Sequence, residues 1–148
     1  MSTSQSEPGK KRYKVLITDD EASIRRSLQF LLHARGYEPL SYRSASALLA
    51  DPASLSADCM IADYNMPDLD GVRLLGAFRA KGWSGPAILI CASCDRELRL
   101  RAKACGYAEV IQKPFIRTPV LEALYRLCDC AEPGDCDEDR EGGTGCGC

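Results

Sequence analysis

Four residues in this 148-residue chain have the types and places for chemistry. Asp19 and Asp20 follow the apolar run YKVLIT, Asp63 follows CMIA, and Lys113 follows VIQ. In a parallel α/β sheet, ligands collect at the carboxyl ends of the strands. All four residues occupy such ends, so three carboxylates and one lysine converge on one rim. Three close carboxylates repel and raise one another's pKa. A divalent cation relieves that repulsion, and an all-oxygen ligand set favours Mg²⁺, which accepts one or two carboxylates plus a phosphate oxygen. The lysine then holds a phosphoryl oxygen as a point charge, and the remaining carboxylate is placed to act as a nucleophile. Taken singly, the residues read more simply: Asp19-Asp20 as a helix cap and Lys113-Pro114 as a strand exit. Their joint occurrence at one rim carries the chemical reading.

The elements that must position them follow from periodicity. Tyr13 to Thr18 predicts a buried strand. Ile24, Leu28, Leu31 and Leu32 recur at helical spacing, with Arg25, Arg26, Gln29 and His33 on the opposite face, and Gly36 ends that helix. Residues 37–42 predict a second strand and 44–50 a short helix before Asp51-Pro52. Cys59 to Ala62 is a third strand. After the Pro67–Gly71 loop comes a helix whose expected buried face is Val72, Leu75 and Phe78. The run AILIC at 87–91 is apolar throughout, so both faces of that strand are covered. Residues 95–104 are helical and basic, Val110 and Ile111 mark a fifth strand, and Thr118-Pro119 reads as the N-cap and first position of a last helix. Five strand–helix units with helix-length crossovers mean a parallel, doubly wound sheet with helices on both faces.

Composition narrows the function classes. Hydrophobic residues make up 45% and charged residues 27%, as in an ordinary globular domain. No apolar run reaches the roughly 18 residues of a membrane span, and the polar N-terminus lacks a signal-peptide core, so a cytoplasmic protein is expected. The net charge of −2 hides an asymmetry. Residues 129–148 hold seven acids against Arg140 and read as a disordered tail. Residues 1–12 read as a flexible arm, leaving 13–128 as the folded domain. Nucleic-acid binding is not expected of an acidic chain with no output domain after the fifth unit.

Four segments carry a resemblance: LITDDE at 16–21, ADYNMPDLDG at 62–71, PAILICA at 86–92 and QKPF at 112–115. The chain resembles the receiver domain of two-component response regulators, of the stand-alone, CheY-like type, from about Lys14 to Leu127. The spacing of Asp63, Met66, Pro67, Asp70 and Gly71 is the most specific part. The resemblance implies strand order 2-1-3-4-5. It implies that Asp63 is the phosphoacceptor, that Asp20 ligates Mg²⁺ directly and Asp19 through water, that the Asn65 backbone carbonyl adds a ligand, and that Lys113 pairs with the phosphoryl group, with a cis peptide before Pro114. It further implies a histidine kinase or histidine phosphotransfer protein as donor. A downstream protein would dock on the face of helix 4, strand 5 and helix 5, which also serves dimerisation in the family, so both monomer and homodimer are consistent with it.

Two positions depart from the family. Strand four ends in Cys91-Ala92, where receivers carry Thr or Ser before Ala, and a thiol is a weaker donor than a hydroxyl. Ser93 lies two residues on. Val110 stands where many receivers carry an inward-turning aromatic, with Tyr107 nearby but out of register. Cys91 reads first as a small buried hydrophobe; with Cys94 it also makes a C-x-x-C, the spacing of thiol redox pairs. Nine cysteines are not read as a disulfide framework in a reducing compartment. The tail cysteines, from Cys128 to Cys148, lack the usual zinc spacing. Arg96, Arg99, Arg101 and Lys103 make the fourth helix basic, either as a solvated face or as a surface for the acidic tail. His33 is expected to be solvated. Two alternatives to the phosphorylation reading stay open. One is an interaction module independent of phosphorylation; the other is a thiol- or metal-responsive protein acting through the tail.

Overall fold

The five strands are short because each needs only to cross the core once. They are β1 (Lys14–Thr18), β2 (Glu38–Tyr42), β3 (Cys59–Asp63), β4 (Ala87–Cys91) and β5 (Glu109–Gln112). In the computed structural model, which describes residues 12–113 and 117–127, they pair in parallel in the order β2-β1-β3-β4-β5. This is the doubly wound 2-1-3-4-5 arrangement. Residues 1–11 of the arm, the loop at 114–116 with Pro114, the tail and Cys128 lie outside the described residues.

Alternation along each strand divides the core into two layers, because successive side chains point to opposite faces. Leu16, Met60, Ala62, Ala87, Leu89 and Cys91 face one layer. There they meet α2 (Ala45–Ala50), α3 (Gly71–Ala80) and α4 (Arg96–Cys105). Val15, Ile17, Cys59, Ile61, Ile88 and Ile90 face the other, against α1 (Ala22–Ala34) and α5 (Arg117–Leu127). β3 and β4 are buried at every position, which explains why AILIC shows no polar alternation. Among the described residues no helix is long and apolar enough to cross a membrane.

Helix ends follow the expected chemistry. The Ser44, Asp70 and Asp95 side chains accept from backbone amides at the starts of α2, α3 and α4, and Gly106 closes α4 with φ of 118°, a conformation that favours glycine.

Three details differ from the sequence reading. The buried face of α3 is Gly71, Leu74, Leu75 and Phe78, with Val72 only half-buried; the helix is rotated so that Leu74 fills the core beside Leu75. A 3-10 turn occupies Pro52–Ser56, started by Asp51, whose carboxylate accepts from the Ala53 amide at 3.0 Å. The last helix begins at Arg117, two residues ahead of Pro119. Proline is tolerated there because first-turn amides have no intrahelical partner.

Candidate functional site

The register of the sheet brings the chemistry together. Thr18 pairs with Ala62 and Asp63 with Ile90, so β1 and β3 release Asp19 and Asp63 side by side. Cys91 pairs with Gln112, which delivers Lys113 to the same rim. Asp19 and Asp63 are buried and Asp20 is exposed. One carboxylate oxygen from each of the three lies within 4.8 Å of the others. Lys113 Nζ stands 3.3 Å from Asp63 Oδ2, 3.4 Å from Asp19 Oδ2 and 3.9 Å from Glu21 Oε1. The structure therefore unites Asp19, Asp20, Asp63 and Lys113 and adds Glu21, a rim carboxylate to which the sequence reading assigned no role.

The electrostatics are set by burial. Desolvation first, and the Asp19 charge second, push the Asp63 carboxyl from 3.8 up to about 6 against the opposing pull of Lys113. Asp19 is raised mainly by burial, offset by the Glu21 amide and Lys113. Burial alone would lower the Lys113 ammonium, but the Asp19 and Asp63 carboxylates outweigh it, and its pKa rises. The rim is an acid cluster held by one lysine.

Does this arrangement fit a cation? Asp19 Oδ1 accepts from the Glu21 amide at 2.9 Å, but buried Asp19 Oδ2 accepts no hydrogen bond. Its one cationic neighbour among the described residues is the Lys113 ammonium, at 3.4 Å. A buried carboxylate oxygen without a donor is costly, and a hard cation is the partner that oxygen ligands of this kind satisfy. The exposed Asp20 supplies an oxygen on the open side. The donor set fits a metal ion. The Asn65 amide points back to Asp63 Oδ1 at 3.4 Å, so the Asn65 backbone lies against the same carboxylate.

Gly71 explains the tight loop after Asp63. A Cβ there would stand 2.6 Å from Leu89 Cδ1, 2.9 Å from the Asp63 carbonyl oxygen and 3.2 Å from Tyr64 Cα. Only glycine lets α3 start this close to the rim. The Gly71 amide donates to the Tyr64 carbonyl at 3.0 Å. The buried Tyr107 hydroxyl donates to the Gly71 carbonyl at 2.7 Å. Asp68, in the same loop, takes the Ser46 amide at 2.9 Å and the Ser46 hydroxyl. The sequence reading noted Tyr107 only as an aromatic near Val110 and out of register; this bond forms because α4 ends next to where α3 begins.

On the other side of the rim, Cys91 is 1% exposed and is joined to half-buried Cys94 by a disulfide. The sequence reading favoured a plain buried thiol; burial is as expected, but the sulfur is bonded. Ala92 and Ser93, between the two cysteines, are exposed. The Cys91 carbonyl accepts the Lys113 amide at 2.8 Å. Val110 is half-buried against the α3–α4 layer. His33 is exposed, as expected, and plays no part at the rim.

Comparison with known proteins agrees with this geometry. The family model described as the response regulator receiver domain matches residues 15–125. The transcriptional regulatory protein FixJ of Rhizobium meliloti is 32% identical over 127 residues, covering 86% of this chain and 62% of that protein. Among solved structures, the chemotaxis protein CheY4 of Vibrio cholerae superposes with a TM-score of 0.75 at 28% identity, covering 79% of this chain and 99% of that one. Full-length FixJ from B. japonicum gives 0.74 at 29% identity, with 84% and 61% covered. The chain thus spans 62% or less of the full length of the first curated relatives it matches.

Proposed function

This chain belongs to the response regulator receiver family, and we propose that within it Asp63 accepts a phosphoryl group from a histidine kinase or histidine phosphotransfer protein. The observation that carries the proposal is the single cluster of Asp19, Asp20 and Asp63 with Lys113 Nζ 3.3 Å from Asp63 Oδ2. The receiver would span residues 13–128, between an arm at 1–12 and an acidic tail at 129–148.

In this reading an Asp63 oxygen attacks phosphorus. The O–P bond forms as the P–N bond to the donor imidazole breaks. The carboxyl at about 6 is mostly ionised at neutral pH, so the nucleophile needs no general base. Lys113, at 17% side-chain exposure, holds a fixed positive charge where phosphoryl oxygens gather, and charge placed in advance is the main resource for phosphoryl transfer. Mg²⁺, held by Asp19, Asp20, Asp63 and the Asn65 carbonyl, would neutralise the charge on the transferring group. The Asp70 cap, Gly71 and Tyr107 keep the Asp63 loop in place. The output would be protein contact through α4, β5 and α5, where Leu100 and Tyr125 are exposed.

A second reading is favoured by one observation. Cys91 occupies the position of the family hydroxyl and its sulfur is bonded to Cys94. An interaction module that signals without phosphorylation would tolerate that. The two readings separate by intact mass after incubation with a small phosphodonor and Mg²⁺. Gain of one phosphoryl group, absent in Asp63→Asn and absent without Mg²⁺, is the expected result. A folded protein that gains nothing would leave the phosphorylation-independent module.

A further inference from the structure

We propose that Cys91 and Cys94 are a reversible redox site, made and broken by exchange with a small disulfide of the glutathione type, whose oxidised form staples the β4–α4 loop beside Asp63. The proposal rests on placement. The two Cα atoms are 5.6 Å apart, inside the range that a disulfide spans without moving the backbone. Cys91 ends a central strand and is fully buried, so it is a fixed anchor. Cys94 is half-buried and flanked by exposed Ser93 and Asp95, so it is the thiol a solution oxidant reaches.

Reversibility follows from the size of the ring. The partners are separated by 3 positions in sequence. Closing so short a loop removes little chain entropy from the unfolded state, so the bond adds little to folding stability. Such a bond is suited to a switch rather than to holding up the fold, and exposed or regulatory disulfides are the ones that small thiols reduce.

What the staple would hold is the junction between site and output surface. Cys94 Sγ packs 3.5 Å from the Cys91 carbonyl oxygen and 4.0 Å from that of Ile111. The same Cys91 carbonyl holds the Lys113 amide at 2.8 Å. On the far side, Arg99 Nε donates to the Cys94 carbonyl at 3.1 Å, and Asp95 caps α4. One sulfur–sulfur bond therefore ties the end of β4, the Lys113 backbone and the first turn of α4 into a single unit.

The chemistry balances as two exchanges. The Cys94 thiolate attacks one sulfur of the small disulfide, a Cys94–S bond forms, and one small thiolate leaves. The Cys91 thiolate then attacks Cys94 Sγ, the intrachain bond forms, and the second small thiolate leaves. Two electrons pass to the small disulfide, and the two cysteine protons end on the two small thiols. Reduction by excess small thiol runs the same steps backwards.

The effect on signalling rests on the phosphoryl-acceptance reading. With Cys91 Sγ bonded and Ala92-Ser93 held in a closed ring, neither a thiol nor the loop can move toward a phosphoryl group on Asp63. Oxidation should slow acceptance by about tenfold, the value of one lost transition-state hydrogen bond of about 1.4 kcal/mol.

The test uses the full chain and its Cys94→Ser variant, each equilibrated with reduced or oxidised glutathione. Differential alkylation with peptide mapping should find Cys91 and Cys94 linked to each other only in the oxidised wild type. Amide exchange across residues 92–98 should slow on oxidation and not in the variant. Acceptance from a small phosphodonor should fall in oxidised wild type alone, with Cys94→Ser matching reduced wild type in both buffers. Free Cys91 and Cys94 thiols under oxidised glutathione, or either one paired with a different cysteine, would overturn the proposal. So would unchanged exchange at 92–98, or equal acceptance rates in the two states. If no protein accepts phosphoryl in either state, the function proposed above fails, and mapping with exchange still judges the redox site.

Discussion

The two sides of the rim obey different rules. On the side built by β1, β3 and β5, charges are buried and opposed. Asp19 and Asp63 are each almost inaccessible, and one lysine faces both at 3.3–3.4 Å. On the side built by β4 and α4, a buried sulfur, a half-buried sulfur and two exposed small residues take their place. The first side can accept charge because its own charges are arranged in advance. In the proposed function the second side governs what moves once charge arrives, since the Cys91 carbonyl holds the Lys113 amide and Cys94 meets the start of α4. Under that proposal acceptance depends chiefly on the first side, and a change on the second slows it without abolishing it.

The largest effect that would sharpen this contrast is at Lys113. Lys113→Ala removes the cation facing both carboxylates and should slow acceptance at Asp63 by about 10²-fold, the usual loss for one preorganised charge or donor. Stopped-flow phosphorylation with a small phosphodonor measures it. A loss below threefold would mean that the β1–β3–β5 side does not depend on opposed charge.

The next effect is a stability difference with a defined pH course. The folded Asp63 carboxyl sits at about 6 against 3.8 unfolded, so the folded state binds its proton more tightly. That contribution is full below 3.8 and is lost as pH rises through about 6. At pH 7 without metal, Asp63→Asn should therefore be more stable than wild type by up to about 3 kcal/mol. The gap should close near pH 4, and it should narrow with millimolar Mg²⁺. Denaturant midpoints across that range test it, and a gap that widened on acidification would reverse the assignment of burial as the dominant cause.

Gly71→Ala comes next. Its new Cβ meets Leu89 Cδ1 at 2.6 Å and the Asp63 carbonyl at 2.9 Å. Overpacking of this sort costs about 1–3 kcal/mol. Because one of the contacts is Asp63 backbone, acceptance should slow as well as the melting temperature fall. Removing the α5–β5 ion pair should do least. Arg126 Nη2 and Glu109 Oε2 are 3.0 Å apart at partly exposed positions, and Arg126→Ala should cost no more than about 0.5 kcal/mol and leave acceptance untouched. A large loss of acceptance there would mean that acceptance depends on the α5–β5 surface as well as on the buried charges.

Much of this was legible before any coordinates. Short apolar runs followed by acids marked β1 and β3, and AILIC marked a strand buried on both faces, because those signals are local and periodic. Asp63, Met66, Pro67, Asp70 and Gly71 identified the loop through family likeness, and strand order 2-1-3-4-5 came from the same source, since periodicity alone cannot order parallel strands. The rotation of α3 that buries Leu74 was missed because one turn of apolar residues suits two neighbouring faces. The 3-10 turn at 52–56 was missed because a single proline reads as a break rather than as a first turn.

The sequence by itself determined which groups were available: three carboxylates, one lysine, a glycine at the loop exit, and cysteines three apart. Those are matters of residue type and local spacing. Tertiary structure decided what they became. Parallel register set Asp19 beside Asp63 and brought Lys113 across 50 positions of chain to 3.3 Å. Burial under two helix layers lifted Asp63 to about 6, a shift that depends on exclusion of water and not on neighbours in sequence. The meeting of α4 with the start of α3 gave Tyr107 its carbonyl partner. The turn from β4 into α4 set Cys91 and Cys94 at bonding distance, because backbone direction, not spacing alone, determines whether two sulfurs meet.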